Sequence, residues 1–395
     1  MQQYRILTLN SIAAVGLRRF PDDRYVVGND VDAPHAMLVR SRDLHGVAIP
    51  PTVRAIARAG AGTNNIPVSE MSTRGVPVFS TPGANANAVK ELVLTALLLA
   101  ARNVIPALRY VNQLDPHASD LEHAVEESKK QFAGVELPGK TLGVVGLGAI
   151  GSIVADTAIK LGMNVIGFDP DITVDAAWRL SSSVRKAHTI DELLRQADFV
   201  TLHVPLLDVT RHLIGERQLA MMKPGAALLN FARAEIVDDA AIVAALDGRR
   251  LAYYLCDFPR AALLGTSRVV ALPHLGASTA EAEENCAIMA VDQLRGFLEH
   301  GTIVNSVNFP SVEMARESPY RVAIANANVP NMLGQMSTAM ARAGLNIHNM
   351  VNKSRGEMAY TLVDVDSPVP EALLAVLAAI DGVLSVHAIP AGRTA

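Results

Sequence analysis

The sequence predicts an α/β protein built on a doubly wound parallel sheet, with a smaller ferredoxin-like unit after it. Three observations carry this. Apolar runs of strand length alternate with amphipathic stretches from Lys140 to His274. A glycine turn, Gly146-x-Gly148-x-x-Gly151, joins the first of those strands to its helix. The last 75 residues order their elements βαββαβ.

The first 80 residues alternate short apolar strands (Arg5 to Leu9, Ala36 to Val39, Arg54 to Ala57, Val76 to Phe79) with helical stretches. Pro34, Pro50-Pro51, Gly60, Gly62 and Gly75 punctuate them, so this reads as a small α/β domain. A long apolar helix is expected from about Asn87 to Asn103. The polar stretch Asp115 to Lys130 reads as solvated surface. The next domain should hold six parallel strands: the one entering Gly146, Asn164 to Phe168, Phe199 to Val204, Ala226 to Phe231, Leu251 to Asp257 and Arg268 to Leu272. A helix from Thr279 to Glu299 leads out, and residues 301–310 read as an extended return to the first domain. Residues 311–319 read as a linker. Arg321 to Ala327, Asn346 to Lys353, Met358 to Asp364 and Val383 to Ile389 are the last strands, with helices Met332 to Ala343 and Pro370 to Ile380. The expected domains are 1–86 with 281–312, then 87–280, then 313–395.

The glycine turn carries the first chemical reading. Gly146 permits the tight turn, Gly148 lets a pyrophosphate approach the backbone, and Gly151 lets helix and strand pack. The N–H groups of Ala149 and Ile150 open the helix and face the phosphates with the positive end of its dipole. Asp169 ends the second strand, 18 residues after Gly151. There it can accept from ribose hydroxyls, and its charge opposes a 2′-phosphate, so NAD is expected over NADP. A second phosphate pattern, Gly134-Val-Glu-Leu-Pro-Gly139-Lys140-Thr141, opens a strand instead of a helix and is set aside.

Composition bounds the remaining classes. Net charge is −4 and aromatics are 4% of the chain, with no basic cluster, which argues against nucleic acid. Cys256 and Cys286 have no metal spacing and read as buried small hydrophobes in a reducing cytosol. No metal constellation is expected. The segment from Met1 lacks the apolar core of a signal peptide, and the run Leu92 to Ala101 is too short to span a bilayer, so a cytoplasmic protein is expected.

Catalytic candidates are the polar residues at C-terminal strand ends, where such sheets bind ligands. Asn230-Phe-Ala-Arg233 offers a planar guanidinium for a carboxylate. Pro273-His274 offers a proton acceptor suited to pH 7. Cys256-Asp257 is placed to meet a nicotinamide carboxamide, and His203-Val204-Pro205 to shape the ring pocket.

The order of glycine turn, ribose acid, His-x-Pro, Asn-x-x-Arg and Pro-His-x-Gly resembles the NAD-dependent D-2-hydroxyacid dehydrogenase family. Within it, Arg58-Ala-Gly-Ala-Gly-Thr-Asn-Asn65, Pro273-His-Leu-Gly-Ala-Ser-Thr279 and the C-terminal unit resemble the phosphoglycerate dehydrogenases that carry an ACT domain. The resemblance implies a Rossmann sheet inserted in a flavodoxin-like substrate domain, a homodimer or homotetramer, and oxidation of D-3-phosphoglycerate in serine synthesis. Reduction of glyoxylate or hydroxypyruvate is the alternative, and a non-catalytic NAD sensor a third. By position it implies that Arg233 binds the substrate carboxylate and His274 is the acid/base. It further implies that Ala61 and Gly62 receive the carboxylate on their N–H groups. Arg40, Ser41 and Arg42 would reach the 3-phosphate, and Asn85 with Asn87 would lie near the hinge.

Three departures stand out. The family orients its histidine with a Glu shortly after the strand-end Asp; here Asp257-Phe-Pro-Arg-Ala-Ala has none, so another acid, or water held by Asp257, is expected to serve. The arginine is followed by Ala234 in place of Gly. In the C-terminal unit, Asn326 and Asn331 replace the His and Gly of the serine-binding pattern, while Asn328, Pro330 and Asn346 match it, so L-serine or another amino acid is the expected effector.

Overall fold

The computed structural model describes residues 3–390. Met1 and Gln2, which open the segment read for a leader, lie outside the described residues. The chain folds as two compact units, Met1–Asn85 with Ala280–Ala395, and Ala86–Thr279.

The first unit begins with a parallel sheet of β1 (Tyr4–Leu9), β2 (Tyr25–Gly28), β3 (Ala36–Val39), β4 (Ala55–Arg58) and β5 (Val78–Phe79). Its order, β2-β1-β3-β4-β5, is the flavodoxin-like one. Strand β2 is not expected from sequence, because Tyr25-Val-Val-Gly28 offers only four residues after a Pro-Asp-Asp turn. Helix Ala280–His300 packs Ala290, Val291, Leu294 and Phe297 into the same core as Ile6, Leu38 and Phe79. Residues 301–312 form only isolated bridges, Phe79 with Ser306 and Ile303 with Val312, rather than a strand.

The second unit is a seven-stranded parallel sheet: β6 (Thr141–Val145), β7 (Asn164–Phe168), β8 (Val184–Lys186), β9 (Phe199–Leu202), β10 (Ala226–Asn230), β11 (Leu251–Cys256) and β12 (Val269–Ala271). Its order, β12-β11-β10-β9-β6-β7-β8, reverses between β6 and β9, which makes the switch point at which such sheets bind nucleotides. The expected six strands become seven. Strand β8 is a three-residue edge with Arg185 and Lys186 exposed, so no apolar run announces it. The central strands β9 and β10 are buried throughout, as a sheet covered on both faces requires. Helix Ala86–Ala101 lays Val93, Leu97 and Ala100 on one face beside Val154 and Ala158 of helix Ala149–Lys160. No single helix among the described residues is long and apolar enough to cross a membrane.

The C-terminal strands β13 (Tyr320–Ala327), β14 (Ile347–Arg355), β15 (Met358–Val365) and β16 (Val383–Ile389) form an antiparallel sheet of order β14-β15-β13-β16, the ferredoxin-like order. Period-2 alternation sends Val322, Ile324, Val363 and Val365 to helices Met332–Arg342 and Glu371–Ala378. The alternate residues Ala323, Ala325, Tyr360 and Leu362 join the core of the first unit with Phe297 and Phe309. Both faces are therefore covered. Arg321 and Asp364, 1% and 0% exposed, pair at this seam (2.6 Å), and Arg321 also donates to the carbonyls of His300, Met314 and Ala315.

Candidate functional site

In the second unit the glycine turn has the geometry its sequence announces. Gly146 adopts φ +90°, and a Cβ there would stand 2.8 Å from the His203 backbone. A Cβ on Gly151 would stand 1.9 Å from the Gly146 carbonyl, so only glycine lets the helix start this close to β6. A Cβ on Gly148 would meet nothing within 4 Å; the space above the helix N-terminus is open, as a pyrophosphate needs. The residues therefore fit a dinucleotide. Asp169 does more than expected: Oδ2 accepts from Leu147 N–H (2.8 Å) and Oδ1 from Asp171 N–H (3.1 Å). It thus braces the turn, and each oxygen retains a lone pair for a ribose hydroxyl.

At the end of β9, His203 Nε2 lies 2.9 Å from Thr201 Oγ1, and its Nδ1 is buried without a partner. Desolvation pushes its pKa from 6.5 to about 3, so the ring is neutral at working pH and suits a pocket wall rather than a proton carrier. Sequence reasoning misses Thr201, although its position two residues before His203 on a strand puts both on one face.

Buried Asn230 organises the next strand end. Its Nδ2 donates to the Arg233 carbonyl (2.8 Å) and its Oδ1 accepts from Ala232 N–H (3.2 Å). The exposed Arg233 guanidinium spends one N–H on the Ala232 carbonyl (2.6 Å) and has no carboxylate partner among the described residues. A planar fork is left for an anion.

Buried Asp257 has a bracing role that the sequence does not announce. Its carboxylate accepts from Leu275 N–H and Gly276 N–H, both at 2.7 Å, and its carbonyl from His274 N–H (3.1 Å). It braces the turn that carries His274, and each oxygen keeps a further lone pair. Burial raises its pKa, against the two N–H donors and His274. His274 is exposed at φ +57° and tilts against Phe258, with ring centroids 5.1 Å apart. No carboxylate bonds its ring among the described residues. Arg260, three residues past Asp257, pairs with Asp239 (2.6 Å).

In the first unit, loop 58–65 is held by side-chain bonds to backbone carbonyls. Arg58 donates to the carbonyls of Arg40 (2.9 Å) and Gly62 (2.6 Å), and Asn65 Nδ2 to that of Arg42 (2.7 Å). The N–H groups of Ala61 and Gly62 have no acceptor among the described residues. Asn10 Oδ1 accepts from Ser41 and Arg42 N–H, fixing the adjacent loop. Arg40 is paired with Glu283 (2.6 Å), a partner the sequence does not reveal, whereas the Arg42 guanidinium has none among the described residues. Asn85 closes the first segment of this unit, and its half-buried side chain leaves Oδ1 unpartnered.

The three effector candidates do not converge. Asn326, 1% exposed, lies at the end of β13 that pairs with the start of β15, and Asn328 follows it, donating to the Gly356 carbonyl (3.0 Å). Asn346 precedes β14 at the far end of β15, and its N–H donates to Asp366 Oδ1 (3.1 Å). Seven strand steps, roughly 23 Å, separate the two ends.

Known proteins resemble this chain in sequence and fold. Residues 94–276 match the family model for the NAD binding domain of D-isomer specific 2-hydroxyacid dehydrogenases. The chain is 36% identical over 323 residues to the D-3-phosphoglycerate dehydrogenase of Methanocaldococcus jannaschii, covering 79% of this chain and 57% of that protein. It is 32% identical over 346 residues to the Haemophilus influenzae D-3-phosphoglycerate dehydrogenase, covering 85% and 80%. A glyoxylate reductase structure from Paecilomyes thermophila, 26% identical, matches with a TM-score of 0.64 over 78% of this chain and 99% of that one. The chain belongs to the D-2-hydroxyacid dehydrogenase family of NAD-binding oxidoreductases.

Proposed function

We propose that this chain oxidises D-3-phosphoglycerate to 3-phosphohydroxypyruvate, the step that opens serine synthesis. The observation that carries the reading is the cradle in the first unit: unpaired Ala61 and Gly62 N–H groups beside Arg58 and the unpartnered Arg42 guanidinium. It suits a substrate with two anionic ends, and the phosphoglycerate dehydrogenases among the relatives agree with it.

In this reading His274 accepts the C2 hydroxyl proton. Arg233 binds the carboxylate and polarises the C2 oxygen as it becomes a carbonyl. A bound NAD would supply the hydride acceptor; the glycine turn and Asp169 would hold its pyrophosphate and ribose, and His203, Val204 and Pro205 would wall the ring pocket. Asp257 acts through the backbone, by fixing the turn on which His274 stands. Arg40 must leave Glu283 to reach a phosphate, so Arg42 is the stronger phosphate ligand.

The glyoxylate reductase similarity and the Arg40–Glu283 pair favour a second reading, reduction of an unphosphorylated oxo acid. Initial NADH rates with 3-phosphohydroxypyruvate, hydroxypyruvate, glyoxylate and pyruvate separate the two. Under the first reading the phosphorylated acid is preferred, and Arg42→Ala raises its KM about 10- to 100-fold, the worth of a charge-assisted hydrogen bond, while sparing glyoxylate. Equal or better rates with glyoxylate would replace it with the second. Because Asn328 and Asn346 sit at opposite ends of one sheet, an amino-acid effector would meet them from two chains of a homo-oligomer. Serine titration at chain concentrations above and below assembly tests this.

A further inference from the structure

A cavity of about 360 Å³ lies where the N-terminal parallel sheet meets strand β16 of the C-terminal sheet. Its volume is at the low end for small-molecule sites, roughly 300–1,000 Å³. Four basic side chains line it: His35, Arg54, Arg74 and His387.

His35 is 7% exposed. Its Nδ1 accepts from Arg5 N–H (2.9 Å), so the neutral ring carries its proton on Nε2, and that donor has no partner among the described residues. The half-buried Arg54 guanidinium also lacks a carboxylate or carbonyl partner among the described residues. Arg74 donates to the carbonyls of Ile49 (3.1 Å) and Pro50 (2.9 Å) and stands 3.7 Å from Glu70. Glu70, more than half exposed, is the one carboxylate ion-paired with any of the four among the described residues. The cationic field is thus uncompensated inside. Burial and the Arg54 charge push His387 down to about 4, and burial with Arg54 and Arg5 lowers His35, so at pH 7 both rings are neutral N–H donors. One end is closed by a seam in which Ser385 Oγ donates to the Gly75 carbonyl (3.0 Å). Gly75 has φ +68°, and a Cβ there would stand 2.7 Å from that oxygen.

We infer that this cavity binds a small phosphate-bearing anion through Arg54, Arg74 and the His35 Nε2–H, and that the anion ties β16 to the N-terminal sheet. Two guanidinium groups and an imidazole N–H lining one cavity offer more donors than the two oxygens of a carboxylate use, and a phosphate has the oxygens to take them. The ligand is free phosphate or the phosphate group of a small metabolite. The site is separate from Arg40 and Arg42 and does not rest on the substrate reading.

The test is inorganic phosphate titrated into the full chain by calorimetry and followed by amide hydrogen exchange. Protection is expected in segments 49–54, 74–76 and 384–387. Affinity should fall at least about tenfold in Arg54→Gln, less in Arg54→Lys, and stay unchanged in Arg42→Ala. Acetate should bind more weakly than phosphate. Protection confined to segments 40–42 and 58–65, or affinity unaltered in Arg54→Gln, would overturn the inference, as would no binding in the wild-type chain. The hydrogen-exchange map of the wild type decides the matter if Arg54→Gln does not fold.

Discussion

At the scale of single residues, the proposed reaction rests on two exposed side chains on braced turns. His274→Gln and Arg233→Gln should each lower kcat/KM by about 10²- to 10⁴-fold, with NADH affinity by fluorescence titration unchanged. Loss of cofactor binding in either would show a structural role instead. His203 makes an opposite prediction. In the unfolded chain it titrates at 6.5 and in the fold at about 3. Between those values the unfolded state binds the extra proton, so stability rises with pH there and is lost as pH falls below 6.5. His203→Asn should flatten this acid limb in urea melts at stepped pH. A limb unchanged in the variant would mean that the ring is better solvated than its burial implies.

At the scale of elements, the glycine turn separates packing from binding. Gly151→Ala drives a Cβ into the Gly146 carbonyl, so overpacking should cost about 1–3 kcal/mol in denaturant melts. Gly148, at φ −70° with open space above it, should accept alanine with little change in stability. The same methyl would occupy the path of the pyrophosphate, so NADH affinity should fall about tenfold or more. Equal affinity would place the phosphates elsewhere. Asp169 belongs to this element too, because it ties β7 to the turn through Leu147 N–H.

For the whole molecule, the C-terminal sheet is wedged between its own helices and the core that holds Phe297 and Phe309. The buried Arg321–Asp364 pair sits in that seam. Burial alone would raise the Asp364 pKa, but the Arg321 hydrogen bonds and Glu317 N–H hold it below the usual carboxylate value. Its stabilisation is therefore present above the ordinary Asp value of about 3.9 and lost as pH falls further. Arg321→Leu leaves a buried carboxylate alone and should cost about 3–5 kcal/mol, with much of that recovered in Arg321→Met/Asp364→Leu. A single variant as stable as the wild type would show that the seam is wet.

The sequence by itself determined the three sheets and the dinucleotide turn, since apolar runs of strand length, a helix-opening glycine pattern and a strand-end acid are local signals. It also placed Arg233 and His274, because strand ends can be read from where apolar runs stop. Edge strands β2 and β8 escaped it: β2 is a four-residue run close behind a Pro-Asp-Asp turn, and β8 has one apolar residue in three. Only the tertiary structure decided what depends on distant partners. Glu283 takes Arg40 from 243 positions away, and Asp257 spends its carboxylate on the turn of Leu275 and Gly276. The asparagines of the C-terminal sheet part to opposite ends because antiparallel register, not sequence spacing, sets which residues meet. Side-chain hydrogen bonds and ion pairs reach only a few ångströms, so which of them form is known once the chain has folded and not before.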